Sequence, residues 1–173
     1  ATAFNRLTAL MPLSELPHLQ LAELNLAAKD LPAATQNLKR ALELKPDSLT
    51  AQQRFVLVSL MSKDYASAMR VAQDVQQQQP NKGIGFLLEG DVLAAQQKWE
   101  AAIATYRKGL KQNGSPELAA KLHATLKAQV SRAEADRFAA TWLSTHAKDH
   151  VFLEYLGDAA IENALALSEQ NRV

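Results

Sequence analysis

The sequence predicts an all-α solenoid, a stack of antiparallel helix pairs that recur every 34 residues. Two observations predict this fold. The first is composition: Ala, Leu and Gln are abundant and only 6% of the residues are aromatic, which is typical of helices rather than strands. The second is spacing, since two residue types recur at 34-residue intervals: Pro12, Pro46 and Pro80, and Ala34, Ala68 and Ala102.

Each unit is predicted to form two helices and a turn, because apolar residues recur every three or four positions in both halves. The predicted helices span about 2–11, 15–29, 31–45, 48–62, 65–79, 82–96, 99–113, 117–129, 132–146 and 150–167. Residues suited to capping helix N-termini stand at several of these starts: Asp30, Asp64, Asp47 or Ser48, Ser115 before Pro116, and a Ser131/Glu134 capping box.

Close packing within each pair needs a small side chain where the two helices cross. We expect Ala34, Ala68, Ala102 and Ala135 to lie near these crossings, opposite a mostly small column of first-helix residues: Ala22, Val56, Gly90 and Ala124. A further column holds Phe4, Leu38, Ala72 and Tyr106. After Gly114 the repeat shortens by one residue, because Ala135, Ala147 and Gly157 continue the columns at that shorter step.

These residues resemble the tetratricopeptide repeat, whose pattern is W-x2-L-G-x2-Y, then A-x3-F, then P. The best match is the third unit, which supplies Phe86, Gly90, Leu93, Ala102 and Tyr106. The resemblance implies a right-handed superhelix in which the first helix of each unit lines a concave groove that binds peptides. It divides the chain into a second helix (1–14), four repeats (15–48, 49–82, 83–116 and 117–149) and a further first helix (150–173).

A narrower resemblance comes from short motifs: Leu88-Glu89-Gly90-Asp91, Leu122-His123-Ala124, Trp142-Leu143 and Tyr155-Leu156-Gly157-Asp158. They are similar to the tetratricopeptide lipoproteins of bacterial PEP-CTERM/exosortase systems. That resemblance implies a role in exopolysaccharide export and protein sorting, and an envelope location through a lipid anchor in the full-length protein. A helical pattern already present at Ala1 leads us to expect a piece of a longer protein.

The tetratricopeptide register predicts a partner-binding groove of mixed polarity. Its residues are Leu19, Glu23, Gln53, Leu57, Leu87, Asp91, Lys121, Thr125, Glu154 and Asp158. We expect them to hold an extended or helical segment with basic and apolar side chains. Two alternatives stay open: the charges only keep a helix face solvated, or the chain is an architectural spacer or oligomerisation segment that binds nothing in the groove. Self-association through the repeat ends is also expected.

Other functional classes are disfavoured by composition and motifs. The charge is balanced, with 19 Lys and Arg against 18 Asp and Glu, so we expect neither nucleic-acid binding nor direct membrane contact. No Cys, phosphate-binding loop or nucleophile motif occurs, which favours a non-enzyme without a cofactor. His146 and His150 would need Asp149 as a third metal ligand, and His123 is better explained as a packing residue.

Overall fold

The computed structural model describes the backbone of residues 10–170 and the side chains of residues 10–161. Over this range no strand occurs, which confirms the all-α prediction, and each predicted helix from 15–29 onward is within three residues of an observed one. The helix predicted at 2–11 lies almost wholly outside the described residues. The helices are α1 (Leu16–Ala27), α2 (Leu31–Leu44), α3 (Leu49–Met61), α4 (Tyr65–Gln78), α5 (Ile84–Ala95), α6 (Trp99–Asn113), α7 (Pro116–Gln129), α8 (Arg132–Thr145) and α9 (His150–Gln170).

The helices stack as pairs, α1/α2 to α7/α8, and α9 follows as a first helix. Each helix from α1 to α7 packs on the next one in the chain, and the first helices α3, α5, α7 and α9 also pack on one another in succession. Second helices of neighbouring pairs do not pack closely in the described part of the chain. Because the first helices are the more closely spaced set, they line the inner, concave side of the stack.

The turn inside each of the first three pairs has one residue in the left-handed region. These residues are Lys29, Lys63 and Gln97, with φ of 59°, 59° and 61°. The conformation lets the preceding helix end and the next begin at once, as at Asp64, whose carboxylate accepts from the Ser67 amide at 3.1 Å. The fourth pair has Val130 there with φ −116°, because a β-branched side chain disfavours positive φ.

The capping predictions are confirmed at four helix starts and wrong at two points. Asp30, Asp64, Ser115 and Ser131 each accept a hydrogen bond from a backbone N–H of the first turn. Ser48 is the N-cap of α3, but its buried side chain makes no capping bond. The Ser131/Glu134 box is only half formed, because the Ser131 N–H donates to the Leu126 carbonyl at 3.0 Å.

The small column is confirmed in three pairs and wrong in the fourth. Ala22, Val56 and Gly90 are buried, but Ala124 is exposed and His123 is buried in its place. The reason is the length of the turn before α7. This turn contains only residues 114–115, whereas the turn between α4 and α5 contains residues 79–83. The lost residue therefore precedes α7, so the step from Gly90 to its counterpart His123 is 33 residues.

In the register of Gly90 and Tyr106, each pair has one buried first-helix residue and one buried second-helix residue of complementary size. The pairs in this register are Ala22 with Leu38, Val56 with Ala72, Gly90 with Tyr106, and His123 with Ala139, and all eight are buried. The third pair is the most extreme, since a Cβ on Gly90 would collide with the Tyr106 ring. The glycine is needed there because the ring occupies the space that any side chain would fill.

This packing predicts opposite effects of one substitution at two glycines in the same register. Gly90→Ala should lower the free energy of unfolding by about 1–3 kcal/mol, because the Tyr106 ring must move. Gly157→Ala should raise it by about 0.5–1 kcal/mol, since among the described residues nothing lies within 4 Å of a Cβ at Gly157 and alanine favours the helix. Urea denaturation of both variants measures the difference, and equal effects would contradict the size-matching account.

Candidate partner-binding groove

Two neighbouring cavities open on the concave, first-helix side of the stack. The first, of about 470 Å³, lies between α1 and α3. The second, of about 380 Å³, lies where α3, α5 and α7 meet, and Leu49 borders both. Four predicted groove residues line them: Leu19 and Glu23 the first, Gln53 and Leu87 the second. The structure therefore brings these four predicted side chains to one continuous surface.

Ion pairs join successive first helices along this surface. Glu23 of α1 pairs with Arg54 of α3 at 2.9 Å, and Asp91 of α5 pairs with Lys121 of α7 at 3.1 Å. Both pairs are partly exposed, so each contributes little stability, about 1 kcal/mol at most. The ion pairs matter for ligand binding, because the groove carboxylates of α1 and α5 already have a cationic partner within the chain.

The two ion pairs occupy equivalent positions two repeats apart, and the residues at the same positions in the repeat step between them are apolar. In the register of Glu23/Arg54 and Asp91/Lys121, the positions on α3 and α5 are Leu57 and Leu88. Leu57 is 45% exposed, whereas Leu88 is buried. The concave side therefore presents an apolar window at Leu57, flanked by an ion pair on each side.

Asp91 is held from two directions. Its carboxylate accepts a hydrogen bond from the Tyr106 hydroxyl at 2.7 Å in addition to the ion pair with Lys121. Burial, reinforced by the negative charge of Asp91, raises the pKa of Tyr106 far above its usual range. The phenol therefore stays a donor at any physiological pH, and Asp91 links α5, α6 and α7 as a structural group as well as a surface one.

The remaining predicted groove residues divide into two groups. Glu154 and Asp158 are exposed on α9 and stand in the same columns as Leu87 and Asp91. Lys121 and Thr125 stand one position later than those columns, whose α7 members are Ala120 and Ala124. This shift has the same origin as the displaced small column, namely the residue lost before α7.

Several residues that line the two cavities were not among the predicted groove residues, and three of them are informative. Arg54 and Leu49 line the first cavity, and Ile84 lines the second. Arg54 was predictable from its position. It lies three residues before Leu57, and from there a basic side chain reaches the groove carboxylate of the preceding repeat, Glu23. Leu49 and Ile84 begin their helices, and the pattern alone gave no sign that these helix starts would border the groove.

His123 lies between α7 and α9, behind the groove surface. It is 4% exposed, and its Nδ1 lies 2.8 Å from the Tyr155 hydroxyl. The rings of Phe152 and Tyr155 pack edge-on against the imidazole, with centroids 6.1 and 5.5 Å away. The prediction that His123 is a packing residue is confirmed, and the residue helps to dock α9.

The residues considered as metal ligands have other contacts. Asp149 accepts hydrogen bonds from the Trp142 indole at 2.8 Å and from the Phe152 amide at 3.0 Å, so it caps α9. His146 stacks on Trp142 with ring centroids 3.8 Å apart. Across the described range, no three His, Asp or Glu side chains are grouped closely enough to hold a metal ion.

No helix in the described part of the chain combines the length and the hydropathy needed to cross a lipid bilayer.

Comparison with known proteins gives one family and one fold. The profile of the tetratricopeptide repeat-like domain matches residues 2–141. No curated protein sequence matches this chain. Among solved structures, a thermophilic TPR protein from Thermus thermophilus is 20% identical with TM-score 0.66, covering 90% of this chain and 87% of that one. MamA from Desulfovibrio magneticus RS-1 is 18% identical with TM-score 0.59, covering 79% and 78%. A tetratricopeptide repeat protein from Parabacteroides merdae is 18% identical with TM-score 0.64, covering 89% and 60%. At these identities the likeness shows the fold alone.

The buried imidazole predicts a pH dependence of stability. Burial, and then the charge of Lys127, lower the pKa of His123, while Asp136 acts in the opposite direction. Above about pH 7.5 His123 is neutral in both the folded and the unfolded chain, so its protonation does not reduce the free energy of unfolding. As the pH falls towards about 5.5, the unfolded chain takes up a proton that the folded chain resists, and the free energy of unfolding should decrease.

Urea denaturation of the parent chain and of His123→Gln at these two pH values measures the effect. Glutamine retains hydrogen-bonding capacity without titrating, so the variant should lose part of the pH dependence. An unchanged difference between the two pH values would contradict the assignment, because His18, His146 and His150 remain in both proteins.

Proposed function

Because this chain belongs to the tetratricopeptide repeat-like domain family, we propose that it is a non-catalytic scaffold whose concave groove binds a segment of a partner protein. The observation that carries the proposal is the apolar window at Leu57, which lies between two ion pairs and one helical turn after Gln53 and Arg54, residues that line the two cavities. Exposed apolar surface with a polar rim is typical of a contact site.

The arrangement favours a partner segment that inserts apolar side chains and hydrogen-bonds through its backbone. Glu23 and Asp91 are already paired within the chain, so a basic ligand would have to compete with Arg54 and Lys121. Glu154 and Asp158 form no ion pair with any other described residue, and they are the better sites for a basic side chain of the partner. The proposed ligand is therefore apolar opposite α3 and basic opposite α9.

Two observations support the proposed non-catalytic role: the family, and the contacts that the polar groups make. Tyr106, Asp91 and Asp149 are engaged in hydrogen bonds that stabilise helix packing or helix ends. Ser115, a hydroxyl residue that lines the second cavity, caps the start of α7 by accepting a hydrogen bond from the Leu118 amide. Binding is the activity that this surface supports best.

The narrower assignment to a bacterial PEP-CTERM and exopolysaccharide system is part of the proposal and rests on the sequence resemblance alone. It implies a partner from that system and a lipid-anchored, periplasmic full-length protein. The full-length sequence and its genomic neighbours test it, through the presence of a lipoprotein signal and of exosortase genes. A neighbourhood without either would leave the groove proposal intact and remove this assignment.

The groove proposal predicts that two substitutions on α3 prevent partner capture. Leu57→Arg and Gln53→Arg place large cations in the apolar window and beside the second cavity, on side chains that are exposed and contribute little to the core. Helicity and unfolding midpoint should change little, while capture from an extract of the source organism should fall at least about tenfold, as expected for a central interface position. Quantitative pull-down followed by mass spectrometry measures this.

The matched control is Gln73→Arg, because Gln73 is equally exposed but lies on the second helix α4. This variant should retain the partners of the parent chain. Partners that survive both groove substitutions, or that are lost equally with Gln73→Arg, would contradict binding on the first-helix face.

A further inference from the structure

The outer side of the stack carries an excess of positive charge on one helix, α6. Among the described second helices, α4 and α8 have as many carboxylates as cations, and α2 has one extra cation. The helix α6 has three cations and one carboxylate, all exposed: Arg107, Lys108, Lys111 and Glu100. The excess is local, because the whole chain has a net charge of only +1.

The described part of the chain offers these cations no carboxylate partner. None of the three forms an ion pair with a described residue, whereas Arg40 and Arg132 each pair with a carboxylate of their own helix. Lys111 is four residues after Arg107 and three after Lys108, spacings at which like charges repel on a helix. The helix dipole favours a cation at Lys111, in the last turn, but acts little beyond that turn. Helix stability therefore does not explain Arg107 and Lys108.

The start of α6 also has a positive charge where the other second helices have a cap. The residues at this position in the other pairs are Asp30, Asp64 and Ser131, and each accepts a hydrogen bond from an amide of the first turn. Lys98 forms no such bond, and its ammonium group stands at the positive end of the helix dipole. A residue that lowers local stability without a packing gain is typical of a functional surface.

The surface between the two ends of α6 is small-sided and open to another chain. Ala101 and Ala104 are exposed there. Lys108 contacts Phe86 of α5, whose ring centroid lies 5.2 Å from the Nζ atom. Over its length α6 rises by about 20 Å. The exposed face of this helix is the α6 strip, which consists of Lys98, Ala101, Ala104, Arg107, Lys108 and Lys111.

The neighbouring second helices restrict what the α6 strip can bind. In the register of Arg107 and Lys111 these helices have uncharged, exposed residues: Gln73 and Gln77 on α4, and Ala140 and Ser144 on α8. Both helices are neutral overall and expose carboxylates, Asp74 and Asp136. A bilayer or a nucleic acid duplex would contact these helices as well and gain little from them. A single narrow acidic segment fits the strip better.

We propose that the α6 strip binds an acidic segment of a partner protein, with carboxylates opposite Arg107, Lys108 and Lys111 at one end and opposite Lys98 at the other. The two alanines let the backbone of that segment lie close to α6 between the ends. Because the cations are exposed, the contact is weak and depends strongly on salt. The strip lies on the outer side of the stack, so this proposal is independent of the partner-binding groove.

Fluorescence anisotropy with a labelled octaglutamate peptide tests the proposal on the whole chain. Fully extended, the peptide is about 26 Å long and covers the strip. At about 20 mM salt it should bind at least about tenfold more tightly than octaglutamine. At about 0.5 M salt, where the Debye length is about 4 Å, binding should disappear. Capture in the higher salt therefore reports on the groove alone.

Substitutions on α6 separate binding from stability. Arg107→Gln, Lys108→Gln and Lys111→Gln combined should weaken octaglutamate binding at least about tenfold, since three ion pairs are lost. The unfolding midpoint in urea should not fall, because the repulsion within the helix is also removed. Lys98→Asp should weaken binding about threefold and raise the midpoint, because aspartate supplies the missing cap. A purely structural role would not move binding and stability in opposite directions.

The matched control removes three cations elsewhere, through Lys29→Gln, Lys39→Gln and Lys63→Gln combined. All three residues are exposed and form no ion pair with a described residue. Glutamine is compatible with the two turn positions, because Gln97 has the equivalent left-handed conformation in the third pair. This variant has the same net charge as the α6 variant, so it should bind octaglutamate within about twofold of the parent chain.

Equal binding of octaglutamate and octaglutamine would contradict the proposal, and so would parent-like binding by the α6 variant or an equal loss in the control. Unchanged binding by Lys98→Asp would contradict the placement of the segment along the whole strip. Phosphatidylglycerol vesicles are the second probe. If they bind in a manner that the α6 variant abolishes while octaglutamate does not bind, the strip recognises lipid and the assignment to a protein segment is wrong.

Discussion

The structure depends on how closely two helices can approach where they cross. Every pair solves this with one small and one larger residue, but the small residue changes sides: it is on the first helix at Ala22 and Gly90, and on the second at Ala72 and Ala139. Because the summed size is conserved, the helix spacing can be kept from pair to pair. The regular stack, and hence the concave side, follows from this constraint within each pair together with the packing of successive first helices.

That regularity is what gives the groove its chemistry. Since successive first helices are packed side by side, a groove residue of one repeat stands next to a residue three positions before the groove column of the following repeat. Two such contacts are ion pairs, and the one between them has Leu57 beside Leu88. Repeats with the same backbone spacing but different side chains thus form a surface whose polarity changes from one repeat to the next.

The sequence predicted the fold well because the 34-residue period fixes helix length, turn position and the buried face at once. For the same reason it placed Leu19, Glu23, Gln53 and Leu87 on the face where the two cavities open. The prediction is wrong at α7, where one residue is missing from a turn. Ala135 and Gly157 have the same spacing whether the missing residue precedes or follows α7. Only the burial of His123 and the exposure of Ala124 show which turn is shorter. The ion pairs of Arg54 and Lys121 join neighbouring repeats, so finding them requires comparing the groove column of one repeat with the residue three positions before that column in the next repeat.

Amide hydrogen exchange of the chain with a captured partner shows whether the first-helix face is the binding surface. If the partner binds there, exchange should become slower in α3 and α5, around Leu57 and Leu87, while α4 and α6 remain unchanged. Slower exchange confined to the second helices α4 and α6 would contradict it, because those amides belong to the outer side of the stack.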